Sequence, residues 1–196
     1  MSQLKEMIVI FGGTFNPIHN GHILTVKKVQ EFLGLSQVYF VPSFISVHKT
    51  QEIISFKHRY NMLKLALSQL RWATIDLCEF NRKGKSYSYD TVVYFKNQNP
   101  KAKIYLLIGQ DSYQNFTTWY RWQDILSLVE LLVIPRTVDI KINNELPAQF
   151  LPINKIDISA SSIRAKIRSK TNLNEIPVKY LPANVFEYIS QHELYQ

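Results

Sequence analysis

Cysteine and long apolar runs are scarce in this sequence. Cys78 is the one cysteine in 196 residues, which excludes an internal disulfide framework and a thiolate metal cluster and fits a reducing compartment. Near the N-terminus, Met7 to Phe11 forms a run of five apolar residues, too short for the core of a signal peptide or for a membrane span. We therefore expect a cytoplasmic protein without membrane attachment.

Two frequent nucleotide-binding signatures are also absent. The glycines of GGTFNPIHNG do not follow the G-x-G-x-x-G order, and no G-K-S/T triplet marks a phosphate-binding loop of the NTPase kind. The chain shows no internal repeat and no linker rich in proline, glycine or serine. These absences predict one continuous domain over residues 1–196.

The charge of the chain is one-sided. Lys and Arg number 23 against 15 Asp and Glu, a formal net charge of +8, which favours nucleic acid, a membrane surface or phosphorylated small molecules as partners. The basic residues are scattered, however, and no RNA- or DNA-binding signature is present. A basic nucleic-acid-binding protein therefore stays an alternative rather than the first hypothesis.

Short apolar runs alternate with helical stripes. Strands are predicted at 7–11, 37–43, 74–80, 103–109, 129–135 and, more weakly, 149–153. Helices are predicted between them. One ends before Gly34, and one is capped by Ser55 and has an apolar stripe that extends to Leu70. Two further helices near the C-terminus begin with Ser159 and with Pro182, the proline at a first-turn position. This alternation predicts an α/β fold: a Rossmann-like, doubly wound parallel sheet with helices on both faces, which binds ligands beyond the carboxyl ends of its strands.

The stretch FGGTFNPIHNGH carries the strongest functional signal. Gly12 and Gly13 follow the first strand, and His19 and His22 lie one helical turn apart where the next helix begins. Free backbone N–H groups at a helix start favour an anion, and both imidazoles can reach one phosphate chain. The alternative is that His22 belongs to a core stripe and His19 to a loop. Zinc is not favoured, because no third ligand stands out.

G-T-F-N-P-x-H-x-G-H resembles the signature of the nucleotidyltransferase superfamily with an H-x-G-H motif. Further segments follow in the order typical of bacterial nicotinate-nucleotide adenylyltransferases, namely His48-Lys49, HRYNMLKLA (58–66), SYSYDT (86–91), LIGQDSYQNFTTW (107–119), IDISASSIR (156–164) and YLPANVFEYI (180–189). The resemblance covers nearly the whole chain. It implies transfer of AMP from ATP to nicotinate mononucleotide, giving nicotinate adenine dinucleotide and pyrophosphate, with Mg²⁺ carried by the ATP phosphates.

The resemblance also implies a set of site residues. The catalytic residues would be His19, His22 and Arg164, which would stabilise charge on the α-phosphate and on the departing pyrophosphate. The implied ATP site consists of Gly12, Gly13, Thr14, Phe15, His19, His22, Gly109, Asp111, Ser159, Ser161, Ser162 and Arg164. A plain serine cap with a surface arginine is the alternative for the last four.

The implied acceptor site consists of Thr14, Phe15, Lys49, Ser88 and Trp119. Lys49 would meet the acceptor's phosphate, Trp119 would stack on the pyridine ring, and Ser88 would lie near the carboxylate. The sequence departs from the family pattern in carrying Asn16 where Asp is usual and Ser88 where Thr is usual.

Three points stay open at this stage. The first is the preferred acceptor. An adenylyltransferase that prefers nicotinamide mononucleotide is the alternative, because an amide differs from a carboxylate mainly in also donating hydrogen bonds. The second is an inactive homologue with a structural role, which retention of His19, His22 and Arg164 disfavours. The third is the oligomeric state, where a homo-oligomer is compatible with the sequence.

Overall fold

The protein is built from six strands and eight α-helices within residues 7–47, 53–135, 143, 146–153, 156–169 and 179–196, which a computed structural model describes. The strands are β1 (Met7–Gly13), β2 (Val38–Pro42), β3 (Ala73–Ile75), β4 (Lys103–Gly109), β5 (Glu130–Ile134) and β6 (Ala148–Phe150). The α-helices are α1 (Asn20–Leu33), α2 (Phe56–Leu67), α3 (Cys78–Arg82), α4 (Ser88–Gln98), α5 (Gln110–Gln114), α6 (Trp122–Leu128), α7 (Ala160–Arg168) and α8 (Ala183–Gln191). A short 3-10 helix spans Phe116–Thr118.

The strands form one parallel sheet in the order β3-β2-β1-β4-β5-β6. The order reverses between β1 and β4, and this switch point is where doubly wound sheets bind their ligands. β1 and β4 pair from Met7–Lys103 to Ile10–Leu106, whereas β1 continues to pair with β2 as far as Gly13. The sheet therefore opens between the carboxyl ends of β1 and β4. The predicted Rossmann-like fold is confirmed.

Apolar side chains cover both faces of the sheet, as a parallel sheet flanked by helices requires. Along β1, Val9 faces one core and its neighbours Ile8 and Ile10 face the other. The first core is completed by α1, α2, α7 and α8, and the second by α3 to α6. Because the two cores share one sheet, the strand ends are held rigidly relative to the helix starts that surround them.

Local sequence signals fix several helix ends. Gly34 ends α1 in the left-handed conformation with φ 64°, and its N–H donates to the carbonyls of Gln30 and Glu31, so the predicted terminator is confirmed. Ser55 caps α2 and Ser159 caps α7, each accepting an N–H from the third residue of its helix. Pro182 is the N-cap of α8, one residue before the predicted first-turn position.

Three predicted boundaries are wrong. The weakly predicted strand 149–153 is found as β6 and ends at Phe150. The predicted strand 74–80 is divided into β3 and α3, because the Asp76 carboxylate accepts the Cys78 N–H at 2.8 Å and turns the chain after Ile75. The predicted stripe of α2 extends to Leu70, but the helix ends at Leu67. Leu70 still packs against the first core from the turn beyond the helix.

Candidate active site

A cavity of about 560 Å³ lies at the switch point of the sheet, within the size range of small-molecule sites. Its walls come from the end of β1, the start of α1, the end of β4 and the start of α7. The predicted site residues that line it are Gly12, Gly13, Thr14, Phe15, His19, His22, Gly109, Asp111, Trp119, Ser159, Ser161 and Arg164. The fold thus brings most of the predicted site to one place.

The loop after β1 is shaped by its small and strained residues. A side chain at Gly13 would place its Cβ 3.0 Å from the ring of Phe15, so a larger residue there would press on that ring. Phe15 has φ 48°, the left-handed conformation, and its ring is buried against Phe11 and Phe40. The loop is therefore anchored in the core while its backbone faces the cavity.

His19 and His22 cap the start of α1 reciprocally. His19 is the N-cap, and its Nδ1 accepts the His22 N–H at 3.3 Å, while His22 Nδ1 accepts the His19 N–H at 3.4 Å. This is a capping box made of two imidazoles. The rings stack with their centroids 3.6 Å apart. Since each Nδ1 accepts an amide hydrogen, the proton of each neutral ring lies on Nε2.

Gly21, between the two histidines, permits this arrangement. A Cβ on Gly21 would lie 2.9 Å from Nδ1 of His19 and 3.0 Å from the Cβ of Ile158. The glycine of H-x-G-H therefore lets the His19 ring and the segment before α7 approach the helix start together.

The start of α7 supplies the opposite wall. Ser159 caps the helix by accepting the Ser162 N–H at 3.2 Å, and its hydroxyl also contacts the Ser161 hydroxyl at 3.2 Å. Ser162 does not line the cavity; it is exposed at the third position of the helix, where its N–H serves the cap. Arg164 does line it, and one guanidinium N–H donates to the Asn16 carbonyl at 2.7 Å. Arg164 thus joins α7 to the loop after β1.

The end of β4 carries two residues of the predicted ATP site. Gly109 is the N-cap of α5, and Asp111 lies exposed in the first turn of that helix. Of the described residues that line the cavity, Asp111 is the one carboxylate. Among the described residues, no group of three or more His, Cys, Asp and Glu side chains could hold a metal ion.

The predicted acceptor residues fall into three cases. Trp119 lines the cavity, half-buried, with its ring 5.0 Å from that of Phe116. Ser88 does not line it; it begins α4 between Tyr87 and Tyr89, whose rings both contact Tyr120, the neighbour of Trp119. Lys49 lies outside the described residues. The Ser88 and Trp119 segments are therefore in contact, although only Trp119 faces the cavity.

Sequence reasoning did not assign a role to Asn16 or Arg59, and both matter to the site. Asn16 lines the cavity with 5% of its surface exposed. Arg59 is 2% exposed and donates to the carbonyls of Thr14, Phe44 and Ile54. Burial lowers the pKa of Arg59 to about 10, so its guanidinium still carries charge at neutral pH. The signal available in the sequence was the HRYNMLKLA segment, which by itself does not distinguish a buried arginine from a surface one.

A buried carboxyl group lies beside the start of α4. Glu79 is 7% exposed and accepts a hydrogen bond from the Thr91 hydroxyl at 2.7 Å. Burial raises the pKa of Glu79, and hydrogen bonds from Ser86 and Thr91 oppose that rise. Ser86 in turn accepts the Phe44 N–H at 2.8 Å. The segment before α4 is thereby tied to the segment after β2.

Comparisons with known proteins agree with this geometry. Residues 10–166 match the model of the cytidylyltransferase-like family. The chain is 36% identical over 193 residues to a Streptococcus pyogenes protein named as a probable nicotinate-nucleotide adenylyltransferase, covering 98% of this chain and 90% of the relative. It is 37% identical over 190 residues to a Hydrogenobaculum protein of the same name, covering 96% and 97% of the two chains.

Solved structures show the same fold. Nicotinic acid mononucleotide adenylyltransferase of Plasmodium falciparum, complexed with NaAD, superposes with a TM-score of 0.80 at 20% identity, covering 97% of each chain. At that identity the likeness bears on the fold alone. It confirms the Rossmann-like fold with one parallel sheet.

Proposed function

The chain belongs to the cytidylyltransferase-like family and to the nicotinate-nucleotide adenylyltransferases, and we infer from this that its cavity joins ATP to nicotinate mononucleotide. The protein is a nucleotidyltransferase that transfers AMP to the acceptor, giving nicotinate adenine dinucleotide and pyrophosphate in NAD biosynthesis. The observation that carries this conclusion is the convergence of the H-x-G-H pair and Arg164 on one cavity at the switch point. The relatives give no support to the nucleic-acid-binding alternative or to the nicotinamide alternative.

The reaction needs no protein nucleophile. An oxygen of the acceptor's own phosphate attacks the α-phosphorus of ATP, and the bond from that phosphorus to the bridging oxygen breaks as pyrophosphate leaves with the electron pair. The protein's task is to align the two phosphates and to stabilise the charge that builds on the non-bridging oxygens. Residues that only bind and orient phosphates are sufficient for this.

His19 and His22 are assigned to the triphosphate. With both Nδ1 atoms accepting amide hydrogens, each neutral ring presents Nε2–H as its donor, and stacked rings present two such donors side by side. Arg164 on the opposite wall is assigned to the departing pyrophosphate, where a guanidinium can donate to two oxygens. Ser159 and Ser161 at the start of α7 add hydroxyl donors.

The remaining assignments follow the walls of the cavity. Thr14 and Phe15 lie where both substrates would meet, Gly109 and Asp111 face the ATP ribose, and Trp119 stacks on the pyridine ring. Lys49 and Ser88 are proposed contacts of the acceptor's phosphate and carboxylate. Mg²⁺ carried by ATP would neutralise phosphate charge, and among the described residues of the lining Asp111 is the one carboxylate.

Pyrophosphate release measures this activity directly. Purified protein is assayed with ATP and Mg²⁺ against nicotinate mononucleotide, nicotinamide mononucleotide and phosphopantetheine. We expect strong preference for the nicotinate acceptor, and His19→Ala should lower kcat by about 10²–10³ as the loss of one charge-stabilising donor does elsewhere. Turnover with another acceptor only would reject the substrate assignment, and full activity of His19→Ala would reject the mechanism.

Two properties of the molecule as a whole are proposals as well. Among the described residues, no helix combines the length and apolar character that a bilayer span requires, and we propose a cytoplasmic location. A homo-oligomer is compatible with the fold, and sedimentation of the purified protein would measure the oligomeric state.

A further inference from the structure

The C-terminal turn, His192 to Tyr195, folds back from α8 into the protein. The N–H of Leu194 donates to the Ile189 carbonyl at 3.1 Å, and Glu193 and Tyr195 both adopt positive φ, 49° and 68°. Left-handed backbone at two non-glycine residues costs free energy. Leu194 and Tyr195 are nevertheless both 8% exposed. Such strain persists when the buried side chains form interactions that compensate for it.

Tyr195 forms such an interaction with the loop of the active site. Its phenol O–H donates to Asn16 Oδ1 at 2.9 Å in a buried hydrogen bond. The backbone carbonyl of the same Asn16 accepts the hydrogen bond from Arg164. Asn16 therefore joins the C-terminal turn to the arginine assigned to the pyrophosphate.

A second contact from the C-terminal segment lies on the other side of His19. The Asn20 N–H donates to the Tyr180 carbonyl at 2.9 Å, and the Asn20 side chain donates to the Lys179 carbonyl at 3.1 Å. Asn16 and Asn20 flank His19 along the chain. The H-x-G-H turn is thus held by the C-terminal segment at two points, one on each side of its first histidine.

We propose that Tyr195 is a positioning residue for AMP transfer. It holds Asn16 in place, and through Asn16 it keeps the loop of His19 and the guanidinium of Arg164 in position to bind the triphosphate. The proposal rests on the function assigned above. Tyr195 does not line the cavity and so acts through Asn16 rather than on the substrate. Burial raises the pKa of the Tyr195 phenol, so the hydroxyl remains a donor across the neutral pH range.

The amide at position 16 suits this role. Asn16 Oδ1 accepts from Tyr195 without carrying charge, so the contact does not change with pH as a carboxylate contact would. An uncharged acceptor also leaves the charge of the nearby Arg164 available for an anion. The departure of this sequence from the usual Asp therefore keeps the acceptor atom while removing a competing negative charge.

Tyr195→Phe tests the proposal, with Tyr188→Phe as its matched control. Both remove one phenol hydroxyl near the C-terminus, but Tyr188 bonds His58 and Asn61 between α8 and α2, away from the cavity. Urea unfolding establishes that both variants fold. For Tyr195→Phe we expect kcat to fall about threefold to tenfold, the equivalent of one buried hydrogen bond, with the KM for nicotinate mononucleotide unchanged. Tyr188→Phe should keep the kcat of the wild type.

A double-mutant cycle identifies the route of the effect. In an Asn16→Ala background, Tyr195→Phe should lower kcat no further, because the acceptor of its hydrogen bond is already gone. Equal losses in both backgrounds, equal losses in Tyr195→Phe and Tyr188→Phe, or a Tyr195→Phe enzyme with wild-type kinetics would each overturn the proposal.

A binding measurement separates this proposal from the assigned reaction. The Kd of a non-hydrolysable ATP analogue, measured by calorimetry, should rise about threefold to tenfold in Tyr195→Phe, since Arg164 and the His19 loop are less well held. If the wild type turns over no acceptor, the assigned function fails, while this comparison still decides the role of Tyr195. An unchanged Kd together with an unchanged kcat would reject it.

Discussion

Replacing Arg59 by methionine should destabilise the protein strongly, although Arg59 is not placed in the reaction. Arg59 donates to the Thr14 carbonyl at 2.8 Å, to the Phe44 carbonyl at 3.2 Å and to the Ile54 carbonyl at 3.3 Å. Methionine has a similar length and fills the same space, but it provides no donor. Three carbonyl groups would lose their partner at once.

The magnitude follows from those three contacts. Each hydrogen bond that is lost costs about 1 kcal/mol, so the sum is about 3 kcal/mol. For a chain of this size, about 3 kcal/mol corresponds to a fall in Tm of roughly 6–12 °C. Arg59→Lys should lie between wild type and Arg59→Met, because one ammonium cannot span three divergent carbonyls as a planar guanidinium does.

Urea and thermal unfolding measure this effect, with Lys57→Met as the control. Lys57 is exposed on the same helix, so the control makes the same change of charge and side chain where burial is absent, and we expect it to stay within about 0.5 kcal/mol of wild type. If the unfolding midpoint of Arg59→Met equalled that of Lys57→Met, the three hydrogen bonds would contribute no net stability. The conclusion that Arg59 stabilises the protein by bonding the segments of Thr14, Phe44 and Ile54 would then be refuted.

Three further predictions concern the surroundings of the site. Gly21→Ala should lower the urea midpoint because its Cβ would lie 2.9 Å from the His19 ring, whereas Gly12→Ala, with no atom within 4 Å of its Cβ, should leave the midpoint unchanged. Burial raises the pKa of Cys78, so a thiol reagent at neutral pH should label the unfolded chain but not the native one. Burial, His192 and Lys57 lower the pKa of His58. The contribution of His58 to the free energy of unfolding is therefore complete above about pH 6.5 and is lost as the pH falls below that value. In urea titrations at several pH values, His58→Gln should weaken this pH dependence of stability.

The fold was largely predictable from the sequence because its signals are local. Continuous apolar runs such as KIYLLIG and glycine loops at strand ends are typical of buried parallel strands, and each helix stop acts on its own neighbours. The run 74–80 was predicted wrongly for the same reason: its composition is strand-like, but the Asp76 side chain bonds the chain two residues on and starts a helix. At this position the hydrogen bond of the Asp76 side chain outweighed the strand propensity of the surrounding residues.

Contacts between distant parts of the chain were not predictable in this way. Tyr195 and Asn16 are 179 positions apart, and Arg59 is 45 positions from Thr14. No periodicity links such pairs, and the segment HRYNMLKLA does not show whether its arginine faces water or a buried carbonyl. The residues proposed to touch a substrate were suggested by motif, whereas the residues that hold them in place became visible only in three dimensions.

The backbone N–H groups at the start of α1 differ from what the sequence led us to expect. The expectation was that free N–H groups at the start of α1 would bind the anion. In the structure the amides of His19, Asn20 and His22 donate to protein acceptors, two of them to the histidine rings themselves. A helix start capped in this way offers little of its backbone to a phosphate, which is why the proposed function assigns the triphosphate to the imidazoles that do the capping. Each ring uses Nδ1 to satisfy the helix, and the proton of its neutral form lies on Nε2. Serine or aspartate could also cap the helix, but after accepting the amide hydrogen neither has a second ring nitrogen with which to donate.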